Sequence, residues 1–240
     1  MINSGTRCFI DIGNTRIKYA LASRIQTPLV CQRDDLSALF SLFDDNRPAI
    51  FVTAGRSESA QQSLKQLRQA AEKRQLPCEI IRVRPDELAI NYPDSTQFGV
   101  DRFLHLLAGK ARQRASQQPF CVVSAGTAIT LDFYTDRHLG GMILLGLGSA
   151  RSALMEKTGL TALGKPAGLL GHDTATSIGA GLFIGYQNLI VSSIARVADS
   201  ENAAFYTYWT GGDAEALFSA DIAGEIVPAL LFEGMLAYCP

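Results

Sequence analysis

Asp11-Ile12-Gly13-Asn14-Thr15, Ser124-Ala125-Gly126-Thr127-Ala128 and Thr210-Gly211-Gly212-Asp213 are three glycine turns, each placed directly after a run that reads as a β-strand. A glycine turn lets backbone N–H groups approach an anion closely, and neighbouring Asn and Thr side chains add hydrogen bonds. A carboxylate beside such a turn can hold the magnesium that accompanies a nucleotide. One turn of this kind carries little information. Two at the starts of the two halves, with a third near the C-terminus, predict a nucleotide held in a cleft between two related domains.

The elements that must position these turns can be read along the chain. Cys8 to Asp11 and Arg16 to Ala22 are strand candidates joined by the Gly13-Asn14 turn, the pattern of a β-hairpin, which puts Asp11 at a strand end. Ala49 to Thr53 and Glu79 to Val83 are further β-like runs. Between them lies an amphipathic helix with Leu64, Leu67 and Ala71 at helical spacing and Ser57 as its N-cap. Arg84 to Phe98 is polar, contains Pro85 and Pro93, and reads as an ordered functional loop leading into a helix from Asp101 to Arg114. After Gln117-Gln118-Pro119 the pattern restarts: strands at Phe120 to Val123 and Ile129 to Tyr134, another after Gly140-Gly141, helices around Ala150 to Lys157 and Ser177 to Ala198, a strand at Phe205 to Trp209, and terminal helices. The expected domains are therefore 1–118 and 119–240, an echo of structure without an obvious sequence repeat.

Composition narrows the function classes. A chain of 240 residues with a formal charge of −1 offers no broad electrostatic surface for nucleic acid or an anionic membrane, so recognition has to be local. No apolar run reads as a membrane span, and the N-terminal segment leads into a strand instead of a signal-peptide core, which predicts a cytoplasmic protein. Cys8, Cys31, Cys78, Cys121 and Cys239 are odd in number and scattered, which argues against a disulfide framework and a zinc site. His105, His138 and His172 are too dispersed for a metal triad and receive no role. The aromatic run Phe205-Tyr206-Thr207-Tyr208-Trp209 reads as a core strand rather than a base-stacking platform.

The ordered set Asp11-Ile-Gly-Asn-Thr, Gly99-Val-Asp-Arg, Gly126-Thr-Ala-Ile-Thr-Leu-Asp132, Gly140-Gly-Met-Ile, Thr174 with Ile178 and Gly181, and Thr210-Gly-Gly resembles type III pantothenate kinase over nearly the whole chain. That family belongs to the acetate and sugar kinase/Hsp70/actin superfamily. The resemblance implies an α/β protein of two ribonuclease-H-like domains with a nucleotide cleft between them, and a homodimer. It also implies ATP-dependent phosphorylation of the pantothenate 4′-hydroxyl, the first step of coenzyme A synthesis. Two alternatives stand beside it: another small-molecule kinase of the same superfamily, and a nucleotide-binding accessory protein without kinase activity.

Phosphoryl transfer needs a nucleotide cradle, a metal, and an acceptor hydroxyl in line with the γ-phosphate. Asp11 is the metal-side carboxylate, holding magnesium through water. Ile12, Gly13, Asn14, Thr15, Arg16, Ile17 and Lys18 form the ATP-facing hairpin, to which the resemblance adds Thr127. Read alone, Asp11 could equally bond its own turn. Asp101 is the general-base candidate at a helix start, where a carboxylate also serves simply as a partner of the helix dipole. Arg102 could clamp the pantothenate carboxylate or an amide oxygen, or be an unpaired surface arginine. Tyr92, Gly99, Val100 and Thr174 complete the pantothenate set by resemblance, and Asp132 reads as structural. Ser124 stands where the family pattern has an aspartate associated with potassium or ammonium, which puts dependence on a monovalent cation in doubt. Ser95 and Leu145 replace common prolines and bear on loop shape.

Overall fold

A computed structural model describes residues 6–13, 16–160, 164 and 168–239. Asn14 and Thr15 of the expected ATP hairpin lie outside these described residues.

The described chain runs β1 (Arg7–Ile12), β2 (Ile17–Leu21), β3 (Leu29–Cys31), α1 (Ser37–Asn46), β4 (Ala49–Ala54), α2 (Glu58–Lys73), β5 (Cys78–Ile80), α3 (Pro85–Leu88) and α4 (Val100–Arg112). It continues with β6 (Phe120–Ala125), β7 (Ala128–Tyr134), β8 (His138–Leu145), α5 (Leu147–Thr158), α6 (Thr174–Glu201), β9 (Tyr206–Thr210), α7 (Ala214–Leu217), β10 (Gly224–Ile226) and α8 (Leu230–Tyr238). Two five-stranded sheets result, ordered β3-β2-β1-β4-β5 and β10-β9-β6-β7-β8. Read from its own first strand, each is the same construction. Strands one to three form an antiparallel meander, the fourth returns parallel beside the first, and the fifth adds parallel to the fourth. This strand order is the ribonuclease-H-like topology expected from the sequence, now visible twice.

Each sheet has its own core. In the first, Cys8, Ile10 and Ile12 of β1 point into a cluster with Leu39, Phe43 and Leu67, while Phe9 is buried on the opposite face against Phe51. Burial on both faces explains the nearly continuous apolar run of β1. Ser57 caps α2 as expected, its hydroxyl accepting the Ala60 N–H at 3.3 Å. In the second core, Val123, Ala125, Ile129 and Leu131 pack with Ile190 and Ile194 of α6 and with fully buried Trp209, whose indole N–H donates to the Thr207 hydroxyl. The aromatic run is thus a core strand. Asp173 opens α6 with a capping box, accepting the Thr176 N–H.

The compact units divide the chain differently from a cut at Gln118. One comprises the described residues up to Arg84, Asp94–Ala108 and those from Ala229 onward; the other comprises Pro85–Pro93 and Gly109–Pro228. The reason lies in packing at a distance. Helix α8 returns to the first unit, where Gly234 lets the backbones meet so closely that a Cβ there would lie 2.0 Å from the Leu104 carbonyl oxygen, and Tyr238 meets Phe103 edge-on. Pro85–Pro93, expected to be loop, includes the short helix α3 and belongs to the second unit: Lys110 donates to the Glu87 carbonyl at 2.8 Å, and Asn91 bonds to His138 and to the Leu139 carbonyl. Strands β3 and β10, of three residues each, carry too short a pattern to be read in advance. Helix α6 is long and apolar enough to cross a membrane by length and composition, which the sequence reading did not anticipate; Ile178, Ile190 and Ile194 on it are buried against protein.

Candidate active site

In the first unit, β1 delivers Asp11 one residue before its end, directly opposite Lys18 of β2 and Thr53 of β4. The hairpin closes with the Gly13 N–H donating to the Arg16 carbonyl at 3.1 Å. Two braces hold it. The Gly55 N–H donates to the Ile12 carbonyl at 2.9 Å, and the Arg33 guanidinium donates to the Gly13 carbonyl and the Ser59 hydroxyl. Arg33 lies two residues beyond the end of β3, and nothing local in the sequence marks it; only the closing of the sheet brings it to the turn.

The other half of this site comes from the start of α4. Asp94 accepts from the Thr96 N–H and hydroxyl and from the Gln97 side chain, and Arg56 donates to the Thr96 and Gln97 carbonyls, which together fix the approach to Gly99. Gly99 has a specific steric reason: a Cβ there would sit 2.5 Å from Asp101 Oδ1, so the glycine leaves room for the carboxylate to fold back over the helix start. Val100 is half-buried and Asp101 exposed. Arg102 corrects the surface reading. It is 4% exposed, its guanidinium lying 4.6 Å from the Phe98 ring centroid and its aliphatic stem against Gly99.

Asp11 and Asp101 share an electrostatic field. Burial pushes the Asp11 carboxyl up from 3.8 to about 6; Lys18 pulls it down, and the Asp101 charge pushes it up further. A carboxylate that is costly to ionise beside a second carboxylate suits a position completed by a cation. Among the described residues no group of three or more His, Cys, Asp or Glu forms a self-contained metal cage. Asp11 could hold a cation only in company with water and substrate phosphates.

In the second unit, Ser124 occupies the place that Asp11 has in the first. It is the penultimate residue of β6, opposite Thr130 of β7 and Thr210 of β9, so a row of three hydroxyls replaces the row Lys18, Asp11, Thr53. Gly126 N–H closes the hairpin on the Ala128 carbonyl at 3.0 Å, and the exposed Thr127 accepts through its carbonyl from the Gly146 N–H and the Ser149 hydroxyl, each at 3.0 Å. The Gly211 turn folds onto the same strand end. Gly211 has φ +98°, a side chain there would strike the Ala125 carbonyl, and the Asp213 N–H donates to that oxygen at 3.1 Å. Beside it a pocket of about 140 Å3 is lined by Leu147, Arg151, Ile178, Phe183, Asp213 and Ala216. Burial raises the Asp213 carboxyl. Thr174 lies exposed in the first turn of α6, and half-buried Tyr92 stacks on His138 with centroids 6.1 Å apart. Of the expected residues, Asp11, Gly13, Lys18, Gly99, Val100, Asp101 and Arg102 belong to the first unit, and Tyr92, Ser124, Thr127 and Thr174 to the second, where Tyr92 on His138 lies at the opposite end of the sheet from the Ser124 turn.

The profile of the type III pantothenate kinase family matches residues 8–196, which takes in Asp11, Asp101 and Ser124 and stops short of the Gly211 turn. This chain belongs to that family. Its relatives include type III pantothenate kinases from Thiobacillus denitrificans, 31% identical with 97% of this chain and 96% of the relative covered, and from Marinobacter nauticus, 32% identical with 94% and 95% covered. Among solved structures, a conserved Campylobacter jejuni protein assigned to the Baf family of transcriptional activators aligns with TM-score 0.59 at 21% identity, covering 95% of each chain. Together with the twice-repeated strand order, this places the pantothenate kinase chain in the acetate and sugar kinase/Hsp70/actin fold.

Proposed function

We propose that this pantothenate kinase transfers the γ-phosphoryl group of ATP to the 4′-hydroxyl of pantothenate. The observation that carries the reading beyond family membership is the pairing of Asp11 with Asp101: two carboxylates from distant sequence motifs, coupled within one unit, one suited to a cation and one exposed at a helix start. The test is incubation of the purified protein with ATP, magnesium and pantothenate, followed by phosphorus NMR. Stoichiometric 4′-phosphopantothenate is expected. ATP hydrolysis without that product, or no turnover, would overturn the reading.

In this reading Asp101 orients the acceptor hydroxyl and takes its proton late, as a loose phosphoryl-transfer transition state allows. Gly13, Arg16 and Lys18 face the phosphates, Asn14 and Thr15 are assigned to them from the sequence motif alone, and Ile12 and Ile17 are buried in the core. Thr127 and the Gly211 turn face the nucleotide, and the adjoining pocket takes part of the adenosine. Asp11 would hold magnesium, which would supply charge neutralisation for the phosphates. Gly99, Val100 and Arg102 of the first unit, and separately Tyr92 and Thr174 of the second, are each assigned to pantothenate. Exposed Ile143 and Leu145 on edge strand β8 and Leu189 on α6 support a homodimer, since apolar side chains on a sheet edge and helix face need covering. A net charge of −1 offers no broad electrostatic surface for nucleic acid or an anionic membrane, in keeping with an enzyme acting on small molecules.

Arg102→Lys keeps the charge but loses the planar fork. It should raise the KM for pantothenate about tenfold, the equivalent of roughly one charge-assisted hydrogen bond, and leave the KM for ATP within about twofold. Separate titration of the two substrates checks this; an effect on ATP alone would place Arg102 on the nucleotide side. At Ser124 the row of neutral hydroxyls can only weakly hold a monovalent cation. Activity at constant ionic strength should differ by less than about threefold among potassium, ammonium and sodium, and Ser124→Asp should steepen the potassium response. A strong potassium requirement in the unsubstituted enzyme would show that other groups rebuild the site.

A further inference from the structure

Asp132 and His138 form a fully buried pair that the phosphoryl-transfer chemistry does not use. They are 2% and 0% exposed, on adjacent strands β7 and β8, with His138 Nε2 at 3.1 Å from Asp132 Oδ1. The other ring nitrogen, Nδ1, faces the backbone N–H of Asn91 at 3.4 Å. The Asn91 side chain donates to the Leu139 carbonyl at 2.9 Å, and the Tyr92 ring lies over the imidazole, 25° from parallel. A backbone N–H only donates, so Nδ1 receives Asn91 and the ring proton sits on Nε2, facing Asp132.

We infer that the Asp132–His138 pair is a positioning device for the Asn91–Tyr92 segment, and through Tyr92 a determinant of pantothenate recognition. The second half of this statement rests on the functional reading above, in which Tyr92 touches pantothenate. Asn91 and Tyr92 belong to a nine-residue stretch, Pro85–Pro93, whose neighbours in sequence on both sides belong to the other unit. Its hold on its own unit therefore comes from side chains, and at the Tyr92 end His138 supplies both a backbone hydrogen bond and a ring to stack on. Asp132 sets which imidazole nitrogen is free to do so, as a carboxylate does for a metal-bound histidine.

The experiment uses the double variant Asp132→Leu/His138→Phe, which removes both polar partners together so that neither is left buried alone, and keeps an aromatic ring under Tyr92. Hydrogen exchange at the Asn91 and Tyr92 amides should accelerate at least about tenfold relative to amides of β7. The KM for pantothenate should rise about tenfold, with the KM for ATP within about twofold, a split that general destabilisation would not produce. Unchanged exchange at both amides, or equal changes in both KM values, would overturn the inference. Nitrogen-15 NMR of histidine in the unsubstituted protein decides independently of whether the variant folds: a proton on Nε2 of His138 with Nδ1 bare is expected, and a proton on Nδ1 would overturn it. Absence of pantothenate turnover in the unsubstituted enzyme would fail the functional reading alone, while the exchange and tautomer results would still decide the positioning role.

Discussion

Asp101→Asn is expected to lower turnover by roughly 10²–10⁴-fold, the range for loss of a positioned general base, with ATP affinity nearly intact. Asparagine keeps the shape that folds back over Gly99 and can still bond the acceptor hydroxyl, but it cannot take the proton. The side chain is exposed at the start of α4, so the substitution leaves the core untouched and folding should be unaffected. Single-turnover kinetics would show the deficit in the phosphoryl-transfer step. Near-normal turnover in a folded variant would remove Asp101 from catalysis and leave it as a partner of the helix dipole.

Asp11→Asn should separate stability from activity in opposite directions. Burial raises the Asp11 carboxyl from 3.8 to about 6, so the folded chain binds that proton more tightly than the unfolded chain. Ionised Asp11 therefore costs the fold nothing below about pH 4, costs progressively more as pH rises towards 6, and costs a constant amount above that. At about 1.4 kcal/mol for each tenfold change in proton affinity, the plateau is roughly 2–3 kcal/mol. The metal-free variant should accordingly unfold at higher temperature than the unsubstituted protein at neutral pH, with the difference vanishing near pH 4. Activity should move the other way, falling at least about 10²-fold because the phosphates lose their cation. In the unsubstituted enzyme, kcat/KM for ATP should decline as pH falls through about 6, when Asp11 takes up its proton. An asparagine variant that is less stable at neutral pH would show that Asp11 is satisfied by its own turn.

The candidate residues stood out in the sequence because they sit in short motifs whose backbone requirements leave few options. A strand ending in Asp-Ile-Gly needs a tight turn, and Gly-Val-Asp-Arg at a helix start needs a glycine that clears the aspartate. The long strands and helices were legible for a related reason: β1, β6 and β7 are largely apolar runs of six or seven residues buried on both faces, and α2 carries an apolar period whose side it buries. Shorter elements such as β3 and β10 fell below that length.

What the linear order did not contain is the set of contacts made across long separations. The cut at Gln118 treats the chain as two consecutive halves, whereas α8 returns to the first sheet and Pro85–Pro93 joins the second unit, because Gly234 and His138 find partners that no local pattern announces. Arg102 shows the same limit: a charged residue beside Asp101 in a short motif cannot reveal that its guanidinium is buried against Phe98. The sequence likewise displayed an Asp and a Ser before two glycine turns. Only strand registration made them equivalent positions of one repeated sheet, flanked by Lys18 and Thr53 in one copy and by Thr130 and Thr210 in the other. Side-chain types and local turn geometry are properties of adjacent residues, and the sequence determines them. Burial, register and the partner of a buried charge are properties of pairs far apart in the chain, and those were decided by the tertiary structure.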